Sequence, residues 1–215
     1  KTIPAPQLGA IAARGAIEQA GIQPEDVEEG IMGCVLQASL GQAPDRQAIL
    51  GAGCSISTPT TAINKVCASG MKALMVGAGQ IRAGDRNIVV AGGMENMSKA
   101  PHYTYLREPT GYGHATMVDA IQCDGLTDAY NQILMGSCVE KNCSEMGISR
   151  EAQDEFAILS YTRAREAQEK GWFEDEIQII TQVDKRGKET KVAVDEEPQK
   201  FFPEKFPGLR PTFSK

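Results

Sequence analysis

The sequence predicts an α/β fold built on parallel strands. Strand-like and helical runs alternate through the first hundred residues, and Asn87-Ile88-Val89-Val90-Ala91 is a continuous apolar run, the pattern of a strand buried on both faces. Strand–helix–strand in that order implies parallel crossover units. Glycines at the ends of the helical runs, Gly21 and Gly84, set the element lengths.

Leu8, Ile11, Ala12, Ala16 and Ala20 recur at helical spacing before Gly21. Residues 31–35 read as a short strand, 44–50 as a short helix, and 60–65 as extended chain leading to Cys67. The next helix is predicted over residues 68–82, with Met71, Leu74, Met75, Ala78 and Ile81 as its apolar stripe. Its glycines Gly70, Gly77 and Gly79 each cost about 1 kcal/mol relative to alanine in a helix interior, so close backbone packing is expected to offset them. Residues 97–119, rich in Pro, Gly and Tyr, read as a long ordered loop. Two helices are predicted near 129–144 and 150–170. The second has Ser149 as N-cap, acidic residues early, and Arg163, Arg165 and Lys170 late. Residues 177–183 and 190–194, joined across Asp184-Lys185-Arg186-Gly187, read as a β-hairpin.

Composition narrows the function classes. A chain of 215 residues with 41% hydrophobic residues fits one large domain or two modest ones. The formal net charge of −6 and scattered basic residues argue against nucleic acid as a partner. Runs long enough to span a membrane need about eighteen apolar residues, and none occurs. The six cysteines are neither densely spaced nor arranged as CxxC, which fits a reducing compartment better than a disulfide scaffold. With only His102 and His114, a His/Cys metal site is not expected. The chain opens on Lys1-Thr2-Ile3-Pro4 and closes on Leu209-Arg210-Pro211-Thr212-Phe213-Ser214-Lys215, so it is expected to be a piece of a longer protein.

One segment carries the chemistry: Asn64-Lys65-Val66-Cys67-Ala68-Ser69-Gly70-Met71-Lys72-Ala73-Leu74. A cysteine between a strand-like run and a helix meets unpaired, outward-pointing N–H groups that favour a thiolate. The small residues Ala68, Ser69 and Gly70 are expected to let another molecule approach the sulfur closely. The alternative is a buried structural thiol, the fate of most free cysteines. A helix start contributes at most about 2 kcal/mol to a charge, so a general base would still help. Cys123 and Cys138 are rival thiols, neither of which begins a helix in this reading. Gly92-Gly93 follows a strand end where ligands of parallel sheets gather, though two glycines also make an ordinary turn.

These stretches together resemble the thiolase family, most closely its acetyl-CoA acetyltransferase branch of the mitochondrial type. The matching runs are Gly41-Gln42-Ala43-Pro44 with Arg46-Gln47-Ala48, the Cys67 segment, Val90 to Ser98, Asp124-Gly125-Leu126-Thr127-Asp128 and Met135-Gly136-Ser137. The resemblance covers essentially the whole chain. It implies a partial thiolase fold: residues 1–96 as the first α/β half of a mixed five-stranded sheet lacking its terminal strands, residues 97–215 as an inserted α+β loop domain covering coenzyme A, and a C-terminal half absent.

The resemblance also implies roles. Cys67 is the nucleophile that takes an acyl group from acyl-CoA, and its backbone N–H is one donor of the oxyanion hole. The family's histidine base and second cysteine lie in the second half, and neither motif occurs here; His102 and His114 match neither. Met94 and Glu95 are expected to support the cysteine loop. Leu126 and Met135 pack on the pantetheine arm. Leu134 stands where the family usually has histidine, which removes a polar edge from the acyl pocket. Lys200 stands near the family's nucleotide-binding arginine, and Tyr161 matches a potassium ligand. The implied reaction is the reversible condensation of two acetyl-CoA to acetoacetyl-CoA and coenzyme A through acetyl-Cys67, with no required cofactor beyond coenzyme A as substrate and product, and with potassium as an accessory ion. The full-length protein is expected to be a homodimer or homotetramer in the mitochondrial matrix, with the cytosol as the alternative. Rival readings are a catalytically inactive truncated fragment, a decarboxylating ketoacyl synthase of the same fold, and a thiol redox protein.

Overall fold

The computed structural model describes residues 2–107 and 111–213, which divide into two compact units at Leu126 and Thr127, beyond residue 96 where the sequence texture changes.

In the first unit, α1 (Ala5–Gln19) leads to β1 (Glu29–Gly33), α2 (Pro44–Gly51), β2 (Thr60–Ile63), α3 (Ser69–Ala83) and β3 (Val89–Gly93). The strands form an all-parallel sheet in the order β2-β1-β3, with Gly30 paired to Thr60 on one side and Val90 on the other. Parallel neighbours require crossovers, which α2 and α3 supply. Two glycines of β1 show where the helices lie. A Cβ on Gly30 would meet the Ile49 side chain of α2, whereas one on Gly33 would meet the Ser69–Gly70 backbone of α3. Residues three apart point to opposite faces of a strand, so the unit has three layers, helix–sheet–helix. The main core lies on the α1/α2 side, where Ala13, Ile17, Met32, Cys34, Ala48, Ile49 and Met94 cluster.

Three expectations are corrected. Strand β1 ends at Gly33 and not Val35, because the Val35 N–H turns away to the Glu95 carboxylate at 2.9 Å. Strand β3 is half-buried and not buried on both faces, because among the described residues it is an outer strand of the sheet. Helix α3 packs through Ser69, Ala73 and Gly77, while Met71, Leu74, Met75 and Ile81 remain 67, 56, 60 and 48% exposed. The small-residue edge lets the helix backbone approach the sheet: a Cβ on Gly77 would stand 3.1 Å from Val89. Gly79 has no such neighbour.

The expected long loop, residues 97–119, contains two-residue strands β4 (His102–Tyr103) and β5 (Val118–Asp119), paired antiparallel, and a π-helical segment follows it at Ile121–Leu126; residues 108–110 lie outside the described residues. The Tyr103 hydroxyl donates to Asp124 at 2.8 Å, and its bonds to Cys123 and then Asp124 push the phenol pKa upward.

The second unit holds α4 (Met135–Met146), α5 (Arg150–Glu169) and the hairpin β6 (Ile180–Val183) and β7 (Glu189–Val192). Helix α4 starts later than residue 129 because the Asp128 carboxylate accepts the N–H groups of Tyr130 and Asn131 and holds a turn there. Ser149 caps α5 as expected, accepting the Ala152 N–H at 3.2 Å. The chain after the hairpin docks on α5: Phe201 is 6% exposed, its ring stacked on Tyr161 at 5.0 Å and crossed by Phe206 at 5.7 Å.

Candidate active site

Strand β2 delivers the chain to a tight turn at Asn64–Ala68, and α3 begins at Ser69. Cys67 therefore sits two residues before the helix, exposed, with Ala68 as N-cap. The residue before it, Val66, has φ +50°. Left-handed backbone costs a non-glycine residue about 1–3 kcal/mol. Hydrogen bonds around the turn, each worth about 0.5–1.5 kcal/mol net, offset that strain. Asn64 Oδ1 accepts the Val66 N–H at 3.0 Å, Ser69 Oγ accepts the Lys65 N–H at 2.9 Å, and the Ser69 hydroxyl and N–H both donate to the Val66 carbonyl, at 2.5 and 3.0 Å. Ser69 is thus not an open approach to the sulfur as the sequence implied; it is 5% exposed and ties the turn. The Asn64 and Ser69 spacing around Val66 is the signal that would have revealed this in the sequence, since short polar side chains bond nearby backbone.

Glycines bring the strand ends against this turn. A Cβ on Gly33 would stand 2.5 Å from the Gly70 nitrogen, and one on Gly93 would stand 3.2 Å from the Gly70 Cα. For Gly93, packing is thus a sufficient reason. The result is a cleft of about 490 Å³ at the carboxyl ends of the parallel strands, lined by Cys34, Val66, Cys67, Glu95, Met97 and Leu126 among others. Of the residues assigned to substrate, Leu126 shares this cleft with Cys67 and is 42% exposed.

Cys34 was not singled out in the sequence, yet it lines the same cleft. Its thiol donates to Glu95 Oε1 at 3.8 Å, and the other carboxylate oxygen accepts the N–H groups of Val35 and Leu36. Burial first, then the Glu95 charge and hydrogen bond, push the Cys34 thiol up to about 12. It is a thiol that donates, not a nucleophile. Glu95 thereby holds the exit of β1, where the sequence had placed it behind the cysteine loop. Met94 instead packs in the core beside Gly9 of α1. Cys54 is likewise buried and its pKa is raised, chiefly by desolvation. Cys123 is exposed within the π-helical segment that Ile121 begins, and Cys138 is half-buried in the first turn of α4, which Met135 begins. The Cys138 N–H already bonds the Leu134 carbonyl at 3.2 Å.

Leu134, Met135, Tyr161 and Lys200 belong to the second unit. Leu134 is the half-buried N-cap of α4 and Met135 its first residue, 47% exposed. Tyr161 and Lys200 meet through one carboxylate: the Tyr161 hydroxyl donates to Glu197 Oε1 at 3.2 Å, and the Lys200 ammonium lies 2.9 Å from Glu197 Oε2. Lys200 first, then Tyr161, lower the Glu197 pKa, while the same carboxylate raises those of Lys200 and Tyr161. For potassium, the described oxygens here are a phenol and a carboxylate already neutralised by an ammonium. That set does not by itself fit the ion.

Residues 1–215 match the family model described as thiolase, N-terminal domain. The mitochondrial acetyl-CoA acetyltransferase A of Xenopus laevis is 50% identical over 214 residues, covering 100% of this chain and 51% of that protein. The human mitochondrial acetyl-CoA acetyltransferase is 49% identical over 213 residues, covering 99% of this chain and 50% of its own length. A solved structure, the Acat5 thiolase of Ascaris suum in complex with coenzyme A, superposes with a TM-score of 0.91 at 38% identity, covering 100% of this chain and 54% of that one. The chain thus spans about half the length of the curated relatives it matches, and it has the fold of their N-terminal part. The parallel sheet, the glycine-packed helix start and the match across every residue agree: this chain belongs to the thiolase family.

Proposed function

We propose that this chain supplies the nucleophile half of an acetyl-CoA C-acetyltransferase. The observation that carries the proposal is an exposed Cys67 before α3, on a cleft that it shares with Leu126. In the proposed reaction the Cys67 thiolate attacks the thioester carbonyl of acetyl-CoA, and the coenzyme A thiolate leaves and takes up a proton. The acetyl group is then on sulfur. A second acetyl-CoA, deprotonated at its methyl carbon, attacks that carbonyl; acetoacetyl-CoA departs and Cys67 regains its thiolate. The Cys67 N–H donates to the oxyanion in both steps, as preorganised backbone donors do in acyl transfer.

Leu126 and Met135 would pack on the pantetheine arm, Leu134 would border the acyl pocket without the usual polar edge, and Lys200 would face the nucleotide. Tyr161 would take a potassium ion only with oxygens from outside this chain. The bases that move protons come from the remainder of the protein; His102, on β4, lies 3.9 Å from Asp119, at the distance of a weak ion pair. A mitochondrial location, specifically the matrix, and a homodimeric or homotetrameric assembly complete the proposal, the first supported by the names of the relatives. Incubation with acetyl-CoA, intact mass measurement and peptide mapping test it. One acetyl group on Cys67 is the expected result; acetylation elsewhere, or none in a protein holding both halves, overturns it. The exposed face of α3 favours a second reading for this chain alone, an inactive piece, which a folded but unlabelled chain would support.

A further inference from the structure

We propose that Ser69 is a positioning residue that aims the Cys67 N–H by gripping the other end of the same peptide group. The peptide unit between Val66 and Cys67 carries the Val66 carbonyl at one end and the Cys67 N–H at the other. A trans peptide is planar, so its C=O and N–H point in opposite directions. Whatever holds the carbonyl therefore fixes the donor. Two donors from Ser69 hold it: the hydroxyl at 2.5 Å and the backbone N–H at 3.0 Å. The same hydroxyl accepts the Lys65 N–H at 2.9 Å, so it is engaged on both sides of the strained residue.

Val66 needs such a grip. Among the described non-glycine residues with positive φ, which are Ser39, Ala43, Val66 and Gln132, it is the β-branched one, the side-chain type least suited to that region. Without a restraint its backbone returns to negative φ and the peptide plane turns with it. Asn64 secures the near end by accepting the Val66 N–H at 3.0 Å. Ser69 is itself anchored where α3 meets the end of β1: it is 5% exposed, and a Cβ on Gly33 would stand 2.5 Å from its carbonyl carbon. The grip is rooted in the packed layer and reaches out to the exposed turn.

The inference deepens the proposed role of Cys67 and rests on it, but its test does not need acetyl-CoA. Acylation of Cys67 by p-nitrophenyl acetate builds an oxyanion; alkylation by iodoacetamide does not. A hydroxyl that merely stabilises the fold affects both reactions alike. In Ser69→Ala the rate of Cys67 acylation is expected to fall about tenfold, a fraction of the loss seen when an oxyanion donor is removed outright, while alkylation changes less than about twofold. Peptide mapping assigns both reactions to Cys67, and buried Cys54 serves as the unfolding control. If Ser69→Ala exposes Cys54, Asn64→Ala decides, with the same selective loss expected. Equal loss in both reactions, or no loss in either, overturns the proposal. So does a native protein whose Cys67 alkylates but never acylates. Acylation by the nitrophenyl ester without any transfer from acetyl-CoA, in a protein holding both halves, would remove the functional proposal and leave the grip intact.

Discussion

Cys34 and Cys67 line one cleft and differ in every physical respect that governs a thiol. Cys34 is 1% exposed and faces a carboxylate; Cys67 is exposed at a turn, and among the described residues no carboxylate is bonded to it. Iodoacetamide at neutral pH is therefore expected to label Cys67 and Cys123 and to leave Cys34 unlabelled, as mass mapping would read. The pH dependence has a definite sign. An ordinary thiol titrates near about 8.5, and Cys34 in the folded chain is raised to about 12. Between those values the folded state holds a proton that the unfolded state has lost, so this group makes stability fall as pH rises, by at most about 1.4 kcal/mol per pH unit. Cys34→Ala is expected to flatten that alkaline slope in denaturant titrations; an unchanged slope would contradict the assignment. Glu95→Gln removes the lesser cause and keeps the greater, burial, so the thiol should titrate lower than in the native chain yet above an ordinary cysteine, by ultraviolet thiolate absorbance.

At the scale of elements, the local signals were legible and the non-local ones were not. Gly84 ends α3 in the left-handed conformation, and Ser149 caps α5. Both follow from chemistry within one turn of chain. Ser149→Ala is expected to cost about 1 kcal/mol, seen as a lower midpoint in thermal unfolding of the second unit. The turn of the hairpin was equally readable, with Asp184 accepting the Arg186 and Lys188 N–H groups and Gly187 at φ +79°. By contrast, periodicity named the wrong face of α3, because the choice between a stripe of methionines and an edge of small residues depends on how closely the sheet approaches. The position of Cys67 before a helix was legible, yet the hydrogen bonds of Ser69 were not, since its partners Lys65 and Val66 are defined only once the turn closes. Glu95 failed for the same reason: its partners are about sixty residues away in sequence, on the exit of β1.

For the molecule as a whole, the exposed apolar residues on α3 set the behaviour of this chain in solution. Met71, Leu74 and Met75, spaced three and four residues apart on one helix face, are each more than half exposed. The chain by itself is expected to self-associate, and Leu74→Glu with Met75→Glu to shift it toward the monomer in sedimentation velocity without loss of helical signal. The net charge of −6 resists association only at low salt, so added salt should strengthen it. Among the described residues no helix is long and apolar enough to cross a membrane.

The close approach of α3 to β1 carries an evolutionary consequence. A methyl on Gly33 meets backbone at 2.5 Å, one on Gly93 meets backbone at 3.2 Å, and one on Gly70 finds neighbours no nearer than 3.5 Å. Three glycines within one contact thus differ in how much drift they permit. A saturation scan should rank Gly70 the most tolerant of alanine, Gly93 next, and Gly33 closed to every replacement. Sequence divergence in this corner is then one-sided: position 70 on the helix can change, while position 33 on the strand beneath it has no alternative to glycine.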